Sequence, residues 1–174
     1  MEKIFFAESS AFPTSISAVE RILSTHFGMA NAQICRTENG KPYLKNPEKP
    51  LFFSISHTKT GLFIAFSSEN VGLDAEIIDR NVHYQPILSK FPFAEREEIT
   101  STEDFLRHWT VKESTVKYLG GTLAHDLAKL SYVNGVLRYD RLELPLRVTT
   151  LRFQGHILSV CGERDFSNAE FLSL

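Results

Sequence analysis

The amino-acid sequence predicts an α+β fold made of two halves of similar plan, in each of which a small antiparallel sheet packs on a helix. Two long segments repeat apolar residues with helical spacing, and several short segments alternate like strands. These segments follow the order helix, strands, helix, strands along the chain. A chain of 174 residues can hold two such halves around one shared core, and we place them at residues 1–80 and 81–174.

The first half is predicted to open with a helix over residues 14–27. Thr14 and Ser15 are suitable caps, the apolar residues that follow share one face, and Gly28 is a suitable stop. Strand-like patterns then predict one short strand and an antiparallel meander of three further strands. These four strands are expected at residues 34–36, 51–56, 62–67 and 71–78.

The second half is predicted to contain a short acidic helix at residues 92–99, followed by a longer helix. Ser101 and Asp104 resemble a capping box that opens the longer helix, and Gly120 closes it. Short strands return after this helix, with an Asn-Gly hairpin turn between the first two. They are expected at residues 130–133, 136–139, 147–153 and 156–161.

The composition is that of an ordinary globular protein, with 43% hydrophobic and 23% charged residues. A net charge of −2 gives no general attraction for nucleic acid or anionic membranes, so neither is expected as a partner. No apolar run approaches the ~20 residues of a membrane span, and the N-terminus lacks the features of a signal peptide. We therefore expect a cytoplasmic protein in which Cys35 and Cys161 stay reduced.

An acidic strand is the first candidate for chemistry. Asp74 and Glu76, in the stretch Val71-Gly72-Leu73-Asp74-Ala75-Glu76, point to the same side because strand residues alternate. Two like charges side by side repel unless a cation or water separates them, and carboxylate oxygens suit a hard ion such as Mg²⁺. Taken alone, the pair is explained more simply as the solvent-exposed end of an acidic strand.

The second candidate is the helical stretch Trp109-Thr110-Val111-Lys112-Glu113-Ser114-Thr115-Val116-Lys117. Glu113 and Lys117 are four residues apart, so they share one face of the helix. Taken alone, they are explained as a surface ion pair that stabilises the helix by about 0.3–0.5 kcal/mol.

Two shorter stretches carry groups that can bind phosphate. Ser56 and His57 end a predicted strand, and Arg36 lies near the turn Gly40-Lys41-Pro42. The simpler alternatives are a histidine that satisfies local backbone groups and a solvated basic loop. The sequence has no glycine-rich phosphate loop, no G-x-S-x-G and no H-E-x-x-H motif. Phosphate would therefore be bound by side-chain cations and a metal ion.

Taken together and in this order, the four stretches resemble the Sfp-type 4′-phosphopantetheinyl transferases. That family shows G-K/R-P, then F/Y-N-I/V/L-S-H, then V/I-G-I/V/L-D-x-E, then W-T/S-x-K-E-A/S-x-x-K. The corresponding stretches here span residues 36–117, about half of the chain. Ser54 stands in place of the usual Asn, and Thr58 stands where Ser is common.

The resemblance implies a pseudo-twofold fold with the active site between the halves. It also implies transfer of phosphopantetheine from coenzyme A to a serine of an apo acyl or peptidyl carrier protein, with release of 3′,5′-ADP. Mg²⁺, with Mn²⁺ as an alternative, would be held by Asp74, Glu76 and Glu113. The catalytic residues would be Glu113 and Lys117. The coenzyme A contacts would be Arg36, Lys41, Pro42, Ser56, His57, Asp74, Lys112 and Lys117.

Each group of the nucleotide portion of coenzyme A has its own implied contacts. The two lysines Lys112 and Lys117 would bind the pyrophosphate. The 3′-phosphate would be held by Ser56 and His57 with help from Arg36, and the adenine would lie against Lys41 and Pro42. A monomer is expected, because two similar halves in one chain can build the whole cleft.

Two other functions remain as alternatives. A non-catalytic module would bind coenzyme A or a carrier protein without transferring a group, although the intact acidic residues and Lys117 argue against it. A magnesium-dependent phosphohydrolase would cleave coenzyme A or nucleotides without any carrier protein.

Overall fold

A computed structural model describes residues 2–78 and 81–174, and it shows a mixed α+β protein. The strands are β1 (Lys3–Glu8), β2 (Ile34–Arg36), β3 (Pro42–Leu44), β4 (Phe52–His57), β5 (Gly61–Ser67), β6 (Val71–Ile77), β7 (Leu130–Val133), β8 (Val136–Tyr139), β9 (Leu142–Glu143), β10 (Arg147–Phe153), β11 (His156–Gly162) and β12 (Glu170–Ser173). The helices are α1 (Ser15–Phe27), α2 (Gln85–Leu88), α3 (Phe93–Glu97), α4 (Thr102–Leu119) and α5 (Leu123–Asp126). In this part of the chain, none of the helices has the length and hydropathy of a membrane span.

The strands form two larger sheets and two small ones. The first sheet has the order β12-β1-β5-β4, and the second has the order β10-β11-β6. In the first sheet, β1, which precedes α1, pairs with β5, the second strand of the β4–β5 hairpin. In the second sheet, β6, which precedes α4, pairs with β11, the second strand of the β10–β11 hairpin. Backbone pairing therefore groups β6 with the second sheet, although the sequence places the division after residue 80, which itself lies outside the described residues.

The position of β6 corrects the predicted meander. Strands β4 and β5 pair antiparallel as expected, but β6 pairs with β11 instead of β5. Serine side chains join β6 to β4: the Leu73 amide donates to Oγ of Ser54 at 2.9 Å, and the Ala75 amide donates to Oγ of Ser56 at 3.1 Å. Strands β4 and β6 thus lie side by side, and these β6 amides donate to serine hydroxyls of β4 instead of to its backbone carbonyls.

The two long helices begin and end close to their predicted bounds. Thr14 caps α1 in a reciprocal pair with Ser17, and Gly28 ends it with a φ of 68°. Ser101 caps α4 by accepting from the Asp104 amide at 3.1 Å, and Gly120 ends it with a φ of 70°. These ends are confirmed because they depend on local side chains and on the left-handed backbone that glycine adopts readily.

A close approach between α4 and β6 fixes the geometry of the later site. A methyl group on Gly72 would lie 1.9 Å from the Ser114 carbonyl oxygen and 2.5 Å from the Tyr118 amide nitrogen. The helix backbone therefore lies directly on the strand, with no side chain between them. A hydroxyl pair, Thr110 with Ser159 at 2.8 Å, also joins α4 to β11. This packing brings the fourth and fifth turns of α4, which carry Glu113 and Lys117, to the strand that carries Asp74.

Candidate functional site

Asp74 lies at the centre of the site, buried between β4, β6 and α4. Its Oδ1 accepts from Nζ of Lys117 at 2.8 Å and from Oγ of Ser56 at 2.9 Å. Its Oδ2 is also buried and has no hydrogen-bond partner among the residues that the structure describes. A buried carboxylate oxygen without a donor is costly, so this atom is suited to receive a further cationic group.

Glu113 reaches the same point from α4. Burial and the negative charges of Asp74 and Glu76 together raise the pKa of Glu113 to about 8, against the opposing effect of Lys117. These mutual effects mean that the three acidic side chains lie near one another, and that their charge is only partly balanced by Lys117.

The chemistry of this donor set fits a hard divalent cation. Carboxylate oxygens are the ligands that Mg²⁺ prefers, and a cation would remove the repulsion that raises the pKa of Glu113. The three groups are not fully preassembled, since no set of three His, Cys, Asp or Glu side chains within residues 2–78 and 81–174 has ready-made ligand geometry. Lys117 instead neutralises Oδ1 of Asp74.

Ser56 and His57 separate at the end of β4. Ser56 is 5% exposed, and its hydroxyl is engaged by both Asp74 and the Ala75 amide. His57, the next residue, is exposed at the strand end. The structure thus leaves His57 open to a ligand, whereas the hydroxyl of Ser56 orients Asp74.

Arg36, Lys41 and Pro42 also differ in their accessibility. Arg36 is exposed and donates from Nη1 to the Gly40 carbonyl oxygen at 2.8 Å. Pro42 begins β3, which proline can do because a first strand residue needs no ladder amide. The Lys41 ammonium turns inward, where its Nζ lies 2.9 Å from Oδ1 of Asn70.

No family model matches the chain. It is 33% identical over 110 residues to the 4′-phosphopantetheinyl transferase AcpT of Escherichia coli K12, covering 59% of this chain and 56% of that protein. The matched part of the chain is therefore similar in sequence to a known 4′-phosphopantetheinyl transferase. It is also 25% identical over 144 residues to the 4′-phosphopantetheinyl transferase pptA of Paxillus involutus, covering 67% of this chain and 55% of that protein. The chain spans about half the length of these curated relatives.

Lys112 was predicted to contact coenzyme A, but its side chain points away from Asp74 and Lys117. Its side chain is fully buried, with Nζ 2.9 Å from Oε2 of Glu95 and 4.3 Å from the Phe91 ring centre, and it donates to the Leu130 carbonyl. Burial lowers the pKa of Lys112, and the charge of Glu95 opposes that shift. Successive helix residues point about 100° apart, so Lys112 and Glu113 face different neighbours.

The partners of Lys112 form a buried polar cluster that the sequence did not reveal. Glu95 is fully buried, and its Oε1 lies 3.1 Å from Nδ1 of His108, which is 1% exposed. His108 and Lys112 are four residues apart on one face of α4, a spacing that could have signalled a shared acidic partner. The cluster attaches α3 to α4 on the side of the helix opposite Asp74.

Replacing Lys112 with methionine is expected to destabilise the protein by about 3–5 kcal/mol, because it leaves the carboxylate of Glu95 buried without its cation. Urea unfolding measures this loss. The double variant Lys112→Met/Glu95→Met should recover part of the stability, and Lys90→Met, at an exposed position, is the control. A loss below about 1 kcal/mol in the single variant would contradict a buried ion pair.

Proposed function

We propose that this protein transfers the 4′-phosphopantetheine group from coenzyme A to a serine of an apo acyl or peptidyl carrier protein and releases 3′,5′-ADP. The observation that carries the proposal is the contact of Lys117 on α4 with the buried Asp74 of β6, beside a Glu113 whose pKa is raised by burial and by the charges of Asp74 and Glu76. The relatives named 4′-phosphopantetheinyl transferase support the same reaction. The family's pseudo-twofold arrangement, a monomeric state and a cytoplasmic location belong to the same proposal.

The three acidic residues would hold Mg²⁺, with Mn²⁺ as an alternative. The bound ion would supply positive charge against the pyrophosphate of coenzyme A. Lys117 would contact the same phosphates, because its ammonium already lies at the acidic cluster and is partly exposed. There it would stabilise the charge that develops on the leaving phosphate.

Glu113 is suited to accept the proton of the attacking serine. In its ionised form, the Glu113 carboxylate on α4 can take that proton directly or through water. The serine oxygen bonds to the β-phosphorus of coenzyme A, its proton passes to Glu113, and 3′,5′-ADP leaves with the electrons of the broken bond. Ser56 holds Asp74 in place during this exchange.

The nucleotide end of coenzyme A would lie on the exposed residues near β3 and the end of β4. We assign the 3′-phosphate to His57 and Arg36, and the adenine to the surface around Pro42. In this proposal Ser56 orients Asp74 and Lys112 pairs with the buried Glu95, so neither side chain contacts coenzyme A. These two assignments depart from the contacts that the resemblance implied.

The decisive experiment is intact-protein mass spectrometry of several apo carrier proteins after incubation with this protein, coenzyme A and Mg²⁺. A mass gain of one phosphopantetheine group, lost when coenzyme A is omitted, is the expected result. Coenzyme A breakdown without carrier protein would favour a phosphohydrolase. Binding of coenzyme A by calorimetry without any mass gain would favour a non-catalytic module, and either result would overturn the proposal.

A further inference from the structure

We propose that Lys41 is a positioning residue that holds the end of α4 against the start of β6 and thereby sets the distance between Lys117 and Asp74. The structural part of this proposal stands by itself, and its catalytic part rests on the proposed function. Lys41 belongs to the Gly40-Lys41-Pro42 turn, whose resemblance to known transferases implied a contact with adenine instead.

The contacts of the Lys41 ammonium carry the proposal. Its Nζ lies 2.9 Å from Oδ1 of Asn70, 3.4 Å from the Val71 carbonyl oxygen and 3.4 Å from the Tyr118 carbonyl oxygen. An ammonium has three donors, and these three oxygens can receive all of them. The side chain therefore joins the β2–β3 hairpin to β6 and α4 at once.

The contacted residues lie next to the catalytic ones. Asn70 and Val71 open the strand that carries Asp74, and Tyr118 directly follows Lys117. The last carbonyl groups of a helix lack partners within it, and cations are favoured near them. Lys41 satisfies one of these carbonyls and places its charge at the end of α4.

Two asparagines reinforce the same junction. Nδ2 of Asn70 donates to the Tyr118 carbonyl oxygen at 2.8 Å, and Nδ2 of Asn39 donates to the Gly120 carbonyl oxygen at 2.8 Å. Asn39 and Lys41 flank the same turn, so the tip of the hairpin contacts the end of α4 at two points. An adenine platform would not need such inward contacts.

Burial of the Lys41 ammonium costs free energy, so its inward position needs a structural reason. Burial lowers the pKa of Lys41 to about 8, which means that its charged form is disfavoured there relative to water. Only an ionised Cys161 thiolate would oppose this shift, and three oxygen acceptors surround the amino group. A side chain that snorkelled to solvent would avoid this desolvation. Its inward position therefore indicates a structural requirement at the α4–β6 junction.

The test compares Lys41→Met and Asn70→Ala with the wild type, and Lys45→Met, at an exposed position on the same hairpin, is the matched control. Amide hydrogen exchange of residues 114–120 should become about tenfold faster in both variants, because charge-assisted hydrogen bonds are lost there. Exchange in α1 should not change. Asn70→Ala disturbs the junction without removing the lysine, so it keeps the test valid if Lys41→Met fails to fold.

Steady-state kinetics then separate positioning from substrate binding. Both variants should lower kcat about tenfold or more while the KM for coenzyme A stays within about twofold, since only the alignment of Lys117 changes. A raised KM in Lys41→Met alone, with unchanged exchange in residues 114–120, would make Lys41 a coenzyme A contact and overturn the proposal. If the wild type modified no carrier protein, the proposed function would fail, whereas the exchange data would still decide the role of Lys41.

Discussion

Replacing Glu113 with glutamine is expected to lower the transfer rate by about a thousandfold or more. The variant keeps the shape of the side chain but loses the negative charge that faces Asp74 and Glu76 and the ability to accept a proton. Loss of a positioned charge in a buried site commonly costs two to three orders of magnitude, and loss of a proton acceptor costs a similar amount. The rate is measured by mass spectrometry of the carrier protein at saturating coenzyme A and Mg²⁺.

The same substitution should stabilise the metal-free protein at high pH. The pKa of Glu113 is raised from 4.5 to about 8, so the folded state prefers the protonated carboxyl group. This preference favours folding fully below pH 4.5, and its contribution is lost as the pH rises to about 8. Glutamine does not ionise, so the variant does not lose this contribution.

The free energy of unfolding at pH 8 should therefore be about 1–3 kcal/mol higher for Glu113→Gln than for the wild type, at ~1.4 kcal/mol for each unit of pKa shift. Urea unfolding with a chelator, at several values of pH, measures the difference. Glu97→Gln, at an exposed position of α3, should keep the pH dependence of the wild type. Equal pH dependence in Glu113→Gln and the wild type would disprove the repulsion among the three acidic residues.

The second large effect is expected from Gly72→Ala. The added methyl group would overlap the backbone of α4 at Ser114 and Tyr118, and backbone atoms cannot move aside as a flexible side chain can. We expect a loss of stability of about 3 kcal/mol or more, and a similarly severe loss of transfer, because α4 must move away from β6. Urea unfolding and the carrier-protein assay measure the two effects.

A matched control is available at Gly61 in β5. There an added methyl group meets ring atoms of Phe63 and Phe6 at 2.9 Å and 3.0 Å, so side chains can adjust. Gly61→Ala should therefore cost less stability than Gly72→Ala and should leave the acidic cluster in place. A Gly72→Ala protein with the stability and activity of the wild type would contradict the direct packing of α4 on β6.

Local patterns account for what the sequence predicted well. Both long helices carry their capping side chains and terminal glycines in sequence, as Thr14 and Gly120 illustrate. Residue spacing places Asp74 on one face of a strand and Lys117 on one face of a helix, and the resemblance to known transferases indicated that these faces meet. The contact between Lys117 and Asp74 agrees with that expectation. The structure has Cys35 and Cys161 as free thiols, and only Cys161 is buried.

Non-local pairing explains what the sequence did not predict. Strand β6 pairs with β11, and β12 pairs parallel with β1, although the residues that meet there are far apart in the chain. No local signal specifies such partners. The inward direction of Lys41 was missed for the same reason, since its acceptor Tyr118 lies 77 residues away.

The serine bonds between β4 and β6 connect the proposed 3′-phosphate site with the proposed cation site. Ser56 lies between His57, which is assigned to the 3′-phosphate, and Asp74, whose carboxylate it orients. A substrate that immobilises the end of β4 would also immobilise Asp74, which we propose as an oxygen ligand of the cation, and a bound cation would in turn immobilise the end of β4. Nucleotide and metal affinities should therefore be thermodynamically coupled, each partner tightening the binding of the other to the same extent.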